Sequence, residues 1–348
     1  MIDFITDNWF YINGLLLISI GSQAQSSSYA VLITRVKQWQ WESFWLVQGI
    51  FAWLVFPYIG AAISLPAGAS LWELYAGENV LMPIVFGILW GVGGLTFGLS
   101  MRYLGVALGQ SIALGMCSAC GTMLPALMGE GTASTVTLSI CVAVMLAGVA
   151  VIGYAGKLRE LSMSEEERRK AIRDFAFSKG LLVAVIAGVM SACFKLGLNA
   201  GNPIKEAGMT EFGVHPLLAL SPVILLVTVG GFVTNVGYCL FCNAKNKTFS
   251  DYFCVKPATF ISNILFCALS GLLWYLQFFT LGVGEYFLKD YPVALAFSWS
   301  ILMAQNVIFS IMWGLILKEW KGSGRKAGIV LVAGMLVLIF SLILPKLI

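Results

Sequence analysis

Long apolar segments separated by short polar loops are the feature that most constrains the fold of this chain. Ten such segments are visible, at 9–34, 43–65, 80–101, 104–127, 136–156, 179–200, 216–241, 258–284, 292–317 and 326–345. An α-helix needs about 20 residues to cross a hydrocarbon core of ~30 Å. The ten-residue alternation of a transmembrane β-strand is absent from the sequence. The pattern therefore predicts an all-α membrane protein with ten transmembrane helices.

Composition excludes the soluble classes of protein. Of the 348 residues, 59% are hydrophobic and 11% are charged, against about 25% charged residues in a soluble domain. So few charges cannot cover the surface of a soluble enzyme or form a nucleic-acid interface. The expected partner is the lipid bilayer, and no nucleic acid, metal or cofactor is expected. A membrane-embedded enzyme is also disfavoured, because the chain has one His and no HExxH motif.

Loop charges predict the orientation in the membrane. If the loops at 35–37, 102, 157–179, 245–256 and 318–326 share one side, they hold 17 of the 21 basic residues. Basic loops face the cytoplasm in multi-pass proteins. Both termini are therefore predicted to lie outside, in the periplasm of a Gram-negative cell.

An internal repeat divides the sequence. At an offset of 184 residues, the segment GILWGVGGLTFG (87–98) aligns with GLLWYLQFFTLG (271–282), and Trp90 then matches Trp274. The predicted domains are a first five-helix repeat (1–156), a cytoplasmic linker (157–178) and a second five-helix repeat (179–348). Because five is an odd number, the second repeat enters from the opposite side, which gives the 5+5 inverted repeat of alternating-access transporters. An old duplication without a transport role is the alternative.

Four segments carry a family resemblance: VKQWQWESFW (36–45), MRYLGVALG (101–109), LLWYLQFF (272–279) and LKEWKGSGRK (317–326). They resemble the bacterial L-rhamnose–proton symporter family, which belongs to the drug/metabolite transporter superfamily. The resemblance implies a cytoplasmic-membrane protein that imports L-rhamnose, or a closely related sugar, together with a proton. The alternative is a carrier or exporter of another small polar metabolite.

Sugar recognition favours aromatic faces for C–H patches and amide or hydroxyl groups for the sugar hydroxyls. Mid-span residues of these types are the candidate substrate-binding residues: Gln23, Gln25, Trp90, Gln110, Ser111, Trp274, Gln277, Ser298 and Trp299. For each one the alternative is a structural role in helix packing or in an interhelical hydrogen bond. Four tryptophans near the cytoplasmic boundary are interpreted as interfacial anchors: Trp39, Trp41, Trp45 and Trp320.

The sequence offers no mid-span carboxylate that could bind a transported proton, because no Asp or Glu lies near the middle of a predicted span. Lys195 and Glu285 are the candidate proton-coupling pair, at the outer side of the second repeat. The alternatives are a Lys195 that reaches the interface and a static surface ion pair. Glu42 and Glu319 flank basic residues at the inner ends of spans and are interpreted as members of solvated ion pairs; the alternative is that they pair as an inner gate.

Overall fold

The computed structural model describes residues 8–104, 106–131, 133–162 and 177–348, and every regular element within them is helical. The helices are α1 (Trp9–Ser27), α2 (Trp41–Gly49), α3 (Phe56–Ser64), α4 (Leu71–Ala76), α5 (Leu81–Leu104), α6 (Val106–Leu127), α7 (Thr135–Ser162), α8 (Phe177–Ala200), α9 (Asn202–Thr210), α10 (Ser221–Asn246), α11 (Pro257–Phe287), α12 (Pro292–Ala296), α13 (Ser298–Ile316) and α14 (Gly324–Leu347).

Among the described residues, nine helical stretches are long and apolar enough to cross a membrane. They are Trp41–Ser64, Leu81–Met101, Gly109–Leu127, Thr135–Ser162, Ser178–Thr210, Pro216–Asn246, Pro257–Phe287, Ser298–Ile316 and Gly324–Leu347. The prediction of an all-α membrane protein is confirmed. Helix α1 is outside this set because Gln23, Gln25 and their serine neighbours make its second half polar. The tenth span and the inverted repeat stay predictions.

The span Trp41–Ser64 changes its helical geometry in the middle. Residues Ile50–Val55 are π-helical and join α2 to α3 without a break. A π-helical turn holds more residues than an α-helical turn, so it rotates the side chains that follow and is frequent at functional sites. Here it places Trp53 against Gly49, where a Cβ would meet the indole ring.

The described chain forms two units, and each unit takes segments from both halves of the sequence. The first unit holds Met1–Leu15, Val92–Lys195 and Phe287–Ile348, and the second holds Leu16–Gly91 and Leu196–Tyr286. The units are therefore not the two sequence repeats. The boundaries at 1–156, 157–178 and 179–348 stay a prediction about sequence symmetry, and residues 163–176 of the predicted linker lie outside the described residues.

In the second unit, α10 packs closely on the first half of α5. A Cβ at Gly87 would meet the carbonyl oxygen of Val227, and a Cβ at Gly230 would meet that of Ile84. Only glycine permits backbones to approach so closely, and membrane helices use such contacts for packing. This close contact fixes how α5 is rotated and positioned along α10, and so sets the direction of the side chains that follow Gly87.

In the first unit, α7 and α14 form the most extensive helix pair. Gly148 lies against Leu338, and Gly334 lies against Ile152, so the glycines of each helix receive a side chain of the other. The hydroxyl of Tyr11 donates to the carbonyl oxygen of Leu342 at 2.7 Å. These contacts make α7 and α14 a close-packed pair, with the start of α1 joined to the end of α14.

Candidate functional site

Three indole rings meet inside the second unit. The ring centroid of Trp53 lies 6.1 Å from that of Trp90 and 5.9 Å from that of Trp274, and Trp90 and Trp274 lie 5.7 Å apart. We call Trp53, Trp90 and Trp274 the tryptophan cluster. Its members come from three separate spans, so it forms only when these spans pack together. Aromatic faces in this arrangement are a recognised surface for the C–H groups of a small ligand.

Local packing sets the position of each indole. Trp90 lies over Gly231 of α10, where a side chain would occupy the volume of the ring. Trp274 is 5% exposed, and its ring packs edge-on against Phe278 at 5.1 Å. The π-helical turn brings Trp53 into contact with both other rings. The sequence repeat thus matches two residues, Trp90 and Trp274, that are spatial neighbours in the folded unit.

A buried amide lies between Trp45 and Trp53 along the same span. Gln48 is 0% exposed, and neither its Oε1 nor its Nε2 has a hydrogen-bond partner among the described residues. The indole Nε1 of Trp53, in a side chain that is 2% exposed, also has no partner there. A buried polar group without a partner costs about 1–3 kcal/mol. These three unused hydrogen-bonding atoms, at neighbouring turns of one helix, are therefore candidate contacts for a polar ligand.

Three further candidate glutamines lie in this unit. Gln277 is 3% exposed, and its Nε2 donates to the carbonyl oxygen of Trp274 at 3.0 Å. Gln23 is half-buried, and its Oε1 has no hydrogen-bond partner among the described residues. Gln25 is also half-buried, and its Oε1 accepts from the Ser26 hydroxyl at 3.4 Å. Gln277 therefore supports the backbone beside the tryptophan cluster.

The other predicted substrate residues lie in the first unit. Gln110 and Ser111 of α6 line a cavity of about 350 Å³ together with residues of α7 and α13. Arg159 and Trp320 line the same cavity, and the guanidinium carbon lies 5.3 Å from the Trp320 ring centroid.

Ser298 and Trp299 are buried deeper in the same unit. Trp299 stacks on Phe194 with centroids 5.9 Å apart, and its Nε1 donates to the carbonyl oxygen of Cys117 at 3.4 Å. Its ring also covers Gly121. Trp299 thus contacts α6 at positions six and ten residues beyond Ser111, rather than at Gln110 and Ser111.

The two candidate coupling residues belong to different units. Lys195 is half-buried on α8 in the first unit, and Glu285 is half-buried near the end of α11 in the second. Their pairing stays a prediction.

Sequence reasoning missed Gln48 and Trp53. The repeat comparison singled out tryptophans with a partner in the other half, and Trp53 was not part of that comparison. A signal was present, since Gln48 is an amide within the predicted span 43–65 and follows Trp41 and Trp45 on one helix. Its burial without a partner could be seen only in the folded unit.

Among the described residues, no group of three or more His, Cys, Asp or Glu side chains could hold a metal ion. The eight cysteines are all free thiols. The unpartnered atoms of Gln48 and Trp53 belong to an amide and an indole, which suit neutral hydroxyl-bearing ligands.

Comparison with known proteins places the chain in a family. The family model described as "L-rhamnose-proton symport protein (RhaT)" matches residues 8–346. The L-rhamnose-proton symporter of Cronobacter sakazakii is 36% identical over 336 residues, which cover 94% of each chain. That of Salmonella paratyphi A is 36% identical over 346 residues, covering 94% of this chain and 95% of the relative. That of Yersinia pestis is 34% identical over 344 residues, covering 95% and 96%. This chain therefore belongs to the L-rhamnose–proton symporter family, a family of transporters rather than of enzymes.

Proposed function

We propose that this chain imports L-rhamnose, or a closely related sugar, across the bacterial inner membrane together with a proton. Membership of the symporter family supports the reaction class, and the names of the relatives support the sugar. The observation that carries the proposal is the tryptophan cluster, together with the unpartnered amide of Gln48 on the same span as Trp53.

The chemistry of L-rhamnose suits this arrangement. It is a 6-deoxy sugar, so one end of the ring carries a methyl group and the rest carries hydroxyls. The indole faces of Trp90 and Trp274 offer an apolar wall for the methyl and C–H groups. A glutamine amide donates and accepts at once, as a sugar hydroxyl does. In this proposal the Gln48 amide binds hydroxyls of the sugar, and the Trp53 Nε1 donates to a further sugar hydroxyl. Gln277 does not touch the sugar but holds the backbone at Trp274.

The remaining candidate residues differ in the support that the structure gives them. Gln23 has an unused amide oxygen in the second unit, so it is a further candidate for direct contact. The other five residues stay predictions: Gln25, Gln110, Ser111, Ser298 and Trp299. Gln110 and Ser111 line a cavity, whereas Ser298 and Trp299 are 0% and 2% exposed within the first unit.

Alternating access by a 5+5 inverted repeat is the proposed mechanism of transport, with ten spans and both termini outside. The unit composition supports it, since each unit combines segments from both sequence halves. Helix α1, continued by the π-helical residues Ser28–Leu32, supplies the tenth span in this proposal. Transport of another small polar metabolite is the alternative.

Uptake into proteoliposomes tests the function. Purified protein is reconstituted, an inward pH gradient is imposed, and labelled L-rhamnose is offered with unlabelled competitors. We expect L-rhamnose to compete best. L-mannose, which differs by a hydroxyl on C6, should compete less well because that hydroxyl meets the indole wall. Failure of L-rhamnose to enter above the level of protein-free liposomes would refute the proposal.

A further inference from the structure

A buried carboxylate lies at the start of α2. Glu42 is 6% exposed, and its Oε1 accepts hydrogen bonds from Nδ2 of Asn246 and Oγ1 of Thr248, both at 2.9 Å. Both donors are neutral. The interpretation of Glu42 as part of a solvated ion pair is therefore wrong. A carboxylate held by amide and hydroxyl groups can gain a proton without leaving a buried cation unpaired.

A second carboxylate is joined to Glu42 through Asn243. The Asn243 side-chain oxygen, as assigned, lies 3.1 Å from Oγ of Ser43 and 2.8 Å from Oγ1 of Thr248. The Ser43 hydroxyl also lies 2.8 Å from Oδ2 of Asp251. The hydroxyls of Ser43 and Thr248 have one hydrogen each, so neither can donate both to the Asn243 oxygen and to a carboxylate.

Every hydroxyl can donate its one hydrogen to a suitable acceptor if the oxygen and nitrogen of the Asn243 amide are exchanged. The positions of the heavy atoms do not distinguish the two orientations of an amide. The amide nitrogen then donates to the Ser43 and Thr248 hydroxyls, and these donate to Asp251 and Glu42. The hydroxyl of Tyr252, at 3.2 Å, donates to the amide oxygen. Burial raises the pKa of Tyr252, so that hydroxyl keeps its proton. The network is complete when Glu42 is ionised.

Among the described residues, the titratable groups around Glu42 lie on α10 and on the turn after it. Tyr238 and Cys239 of α10 interact electrostatically with Glu42, and Cys242 interacts with Tyr238. Asp251 and Tyr252 of the turn Thr248–Tyr252 contact Ser43 and Asn243. Lys245 and Lys247 in the same region are exposed. Asp251 is half-buried, so Glu42 is the more deeply buried carboxylate of the pair.

The start of α2 is mechanically connected to the tryptophan cluster. Trp45 follows Glu42 by three residues, on the same helix face. Its Nε1 donates to Oδ1 of the buried Asn235 at 3.0 Å, and its ring lies 5.7 Å from that of Trp53. Gln48 follows one turn later. A movement of the start of α2 therefore reaches both groups proposed to bind the sugar.

We propose that Glu42 binds the transported proton; this inference rests on the proposed function. A proton on Oε2 neutralises the carboxylate and weakens the bonds from Asn246 and Thr248, because hydrogen bonds to an ionised acceptor are the stronger ones. The start of α2 is then less tightly held to the end of α10. Sugar binding to Gln48 and Trp53 favours one position of α2, and proton binding to Glu42 favours the same position. Each ligand therefore raises the affinity of the protein for the other ligand.

The test is Glu42→Gln, which retains the shape and the accepting oxygen but cannot bind a proton at neutral pH. With one proton per sugar, a pH gradient of one unit supports about tenfold accumulation of L-rhamnose. We expect the parent to approach this ratio and Glu42→Gln to fall to a ratio of one. Exchange of labelled for unlabelled sugar, which needs no net proton movement, should survive and shows that the variant is folded.

Asp251→Asn is the matched control, since it alters the same network at its half-buried carboxylate, and it should retain accumulation. If Glu42→Gln is poorly folded, Glu42→Asp replaces it. That variant should accumulate sugar, with a shifted pH midpoint of L-rhamnose binding. Accumulation by Glu42→Gln at the parent's ratio, or an unshifted midpoint in Glu42→Asp, would overturn the assignment. A parent protein that transports no L-rhamnose at all would instead refute the proposed function.

Discussion

Replacing Gln48 by Leu should stabilise the protein and weaken sugar binding at the same time. Gln48 is 0% exposed with both amide atoms unpartnered. An unpartnered buried polar group costs about 1–3 kcal/mol, and Leu has a similar volume. Gln48→Leu should therefore raise the free energy of unfolding by about 1–3 kcal/mol in the absence of sugar. A thermal denaturation series in detergent measures this change.

The same substitution removes the hydrogen bonds proposed between Gln48 and the sugar. Two such bonds, at about 0.5–1.5 kcal/mol each, correspond to a Kd raised about 5- to 150-fold. Quenching of tryptophan fluorescence by L-rhamnose measures the Kd, because the indoles of the tryptophan cluster adjoin the site.

Asn263→Leu is the contrasting control. Asn263 is also 0% exposed, but it donates to the carbonyl oxygen of Lys37 at 2.8 Å and accepts from the Lys37 N–H at 3.1 Å. Its loss leaves two backbone groups unpaired, so this variant should be destabilised. A loss of stability in Gln48→Leu, or an unchanged Kd, would refute the reasoning about Gln48.

Two further predictions concern the site and the topology. Trp274→Ala should weaken L-rhamnose binding at least tenfold more than Trp41→Ala. Trp274 contacts both other members of the tryptophan cluster, whereas Trp41 is 46% exposed. Titration of both variants with L-rhamnose measures the difference, and equal effects would count against the site. Cys254, the exposed cysteine in a loop predicted to be cytoplasmic, should react with a membrane-impermeant maleimide only after cells are permeabilised. Labelling in intact cells that disappears in Cys254→Ser would show that the predicted orientation is inverted.

The helical class could be predicted because apolar length alone determines it. The predicted segments 80–101 and 104–127 require a tight connection, and in the structure α5 ends at Leu104 and α6 begins at Val106. The π-helical turn at Ile50–Val55 could not be predicted. The geometry of this turn depends on its tertiary contacts, including the close approach of Gly271 to the backbone at Ala52. Hydrophobic periodicity does not reveal such contacts.

The site could be predicted only in part. Trp90 and Trp274 were found because the repeat marks them, and the structure brings them together. Because charge at the end of a span is usually solvated, the sequence predicts a solvated Glu42. Its burial depends on Asn246 and Thr248, about 200 residues away in the sequence. Hydrogen-bond partners at that separation leave no local pattern.

Sugar-induced proton movement is the most direct test of the central claim that one chain carries both ligands. Proteoliposomes are suspended in a lightly buffered medium without a pH gradient, and L-rhamnose is added while the external pH is recorded. The account predicts a rise in external pH, with one proton entering per sugar, and none on addition of a sugar that does not compete for uptake. Entry of L-rhamnose with no change in external pH would contradict it.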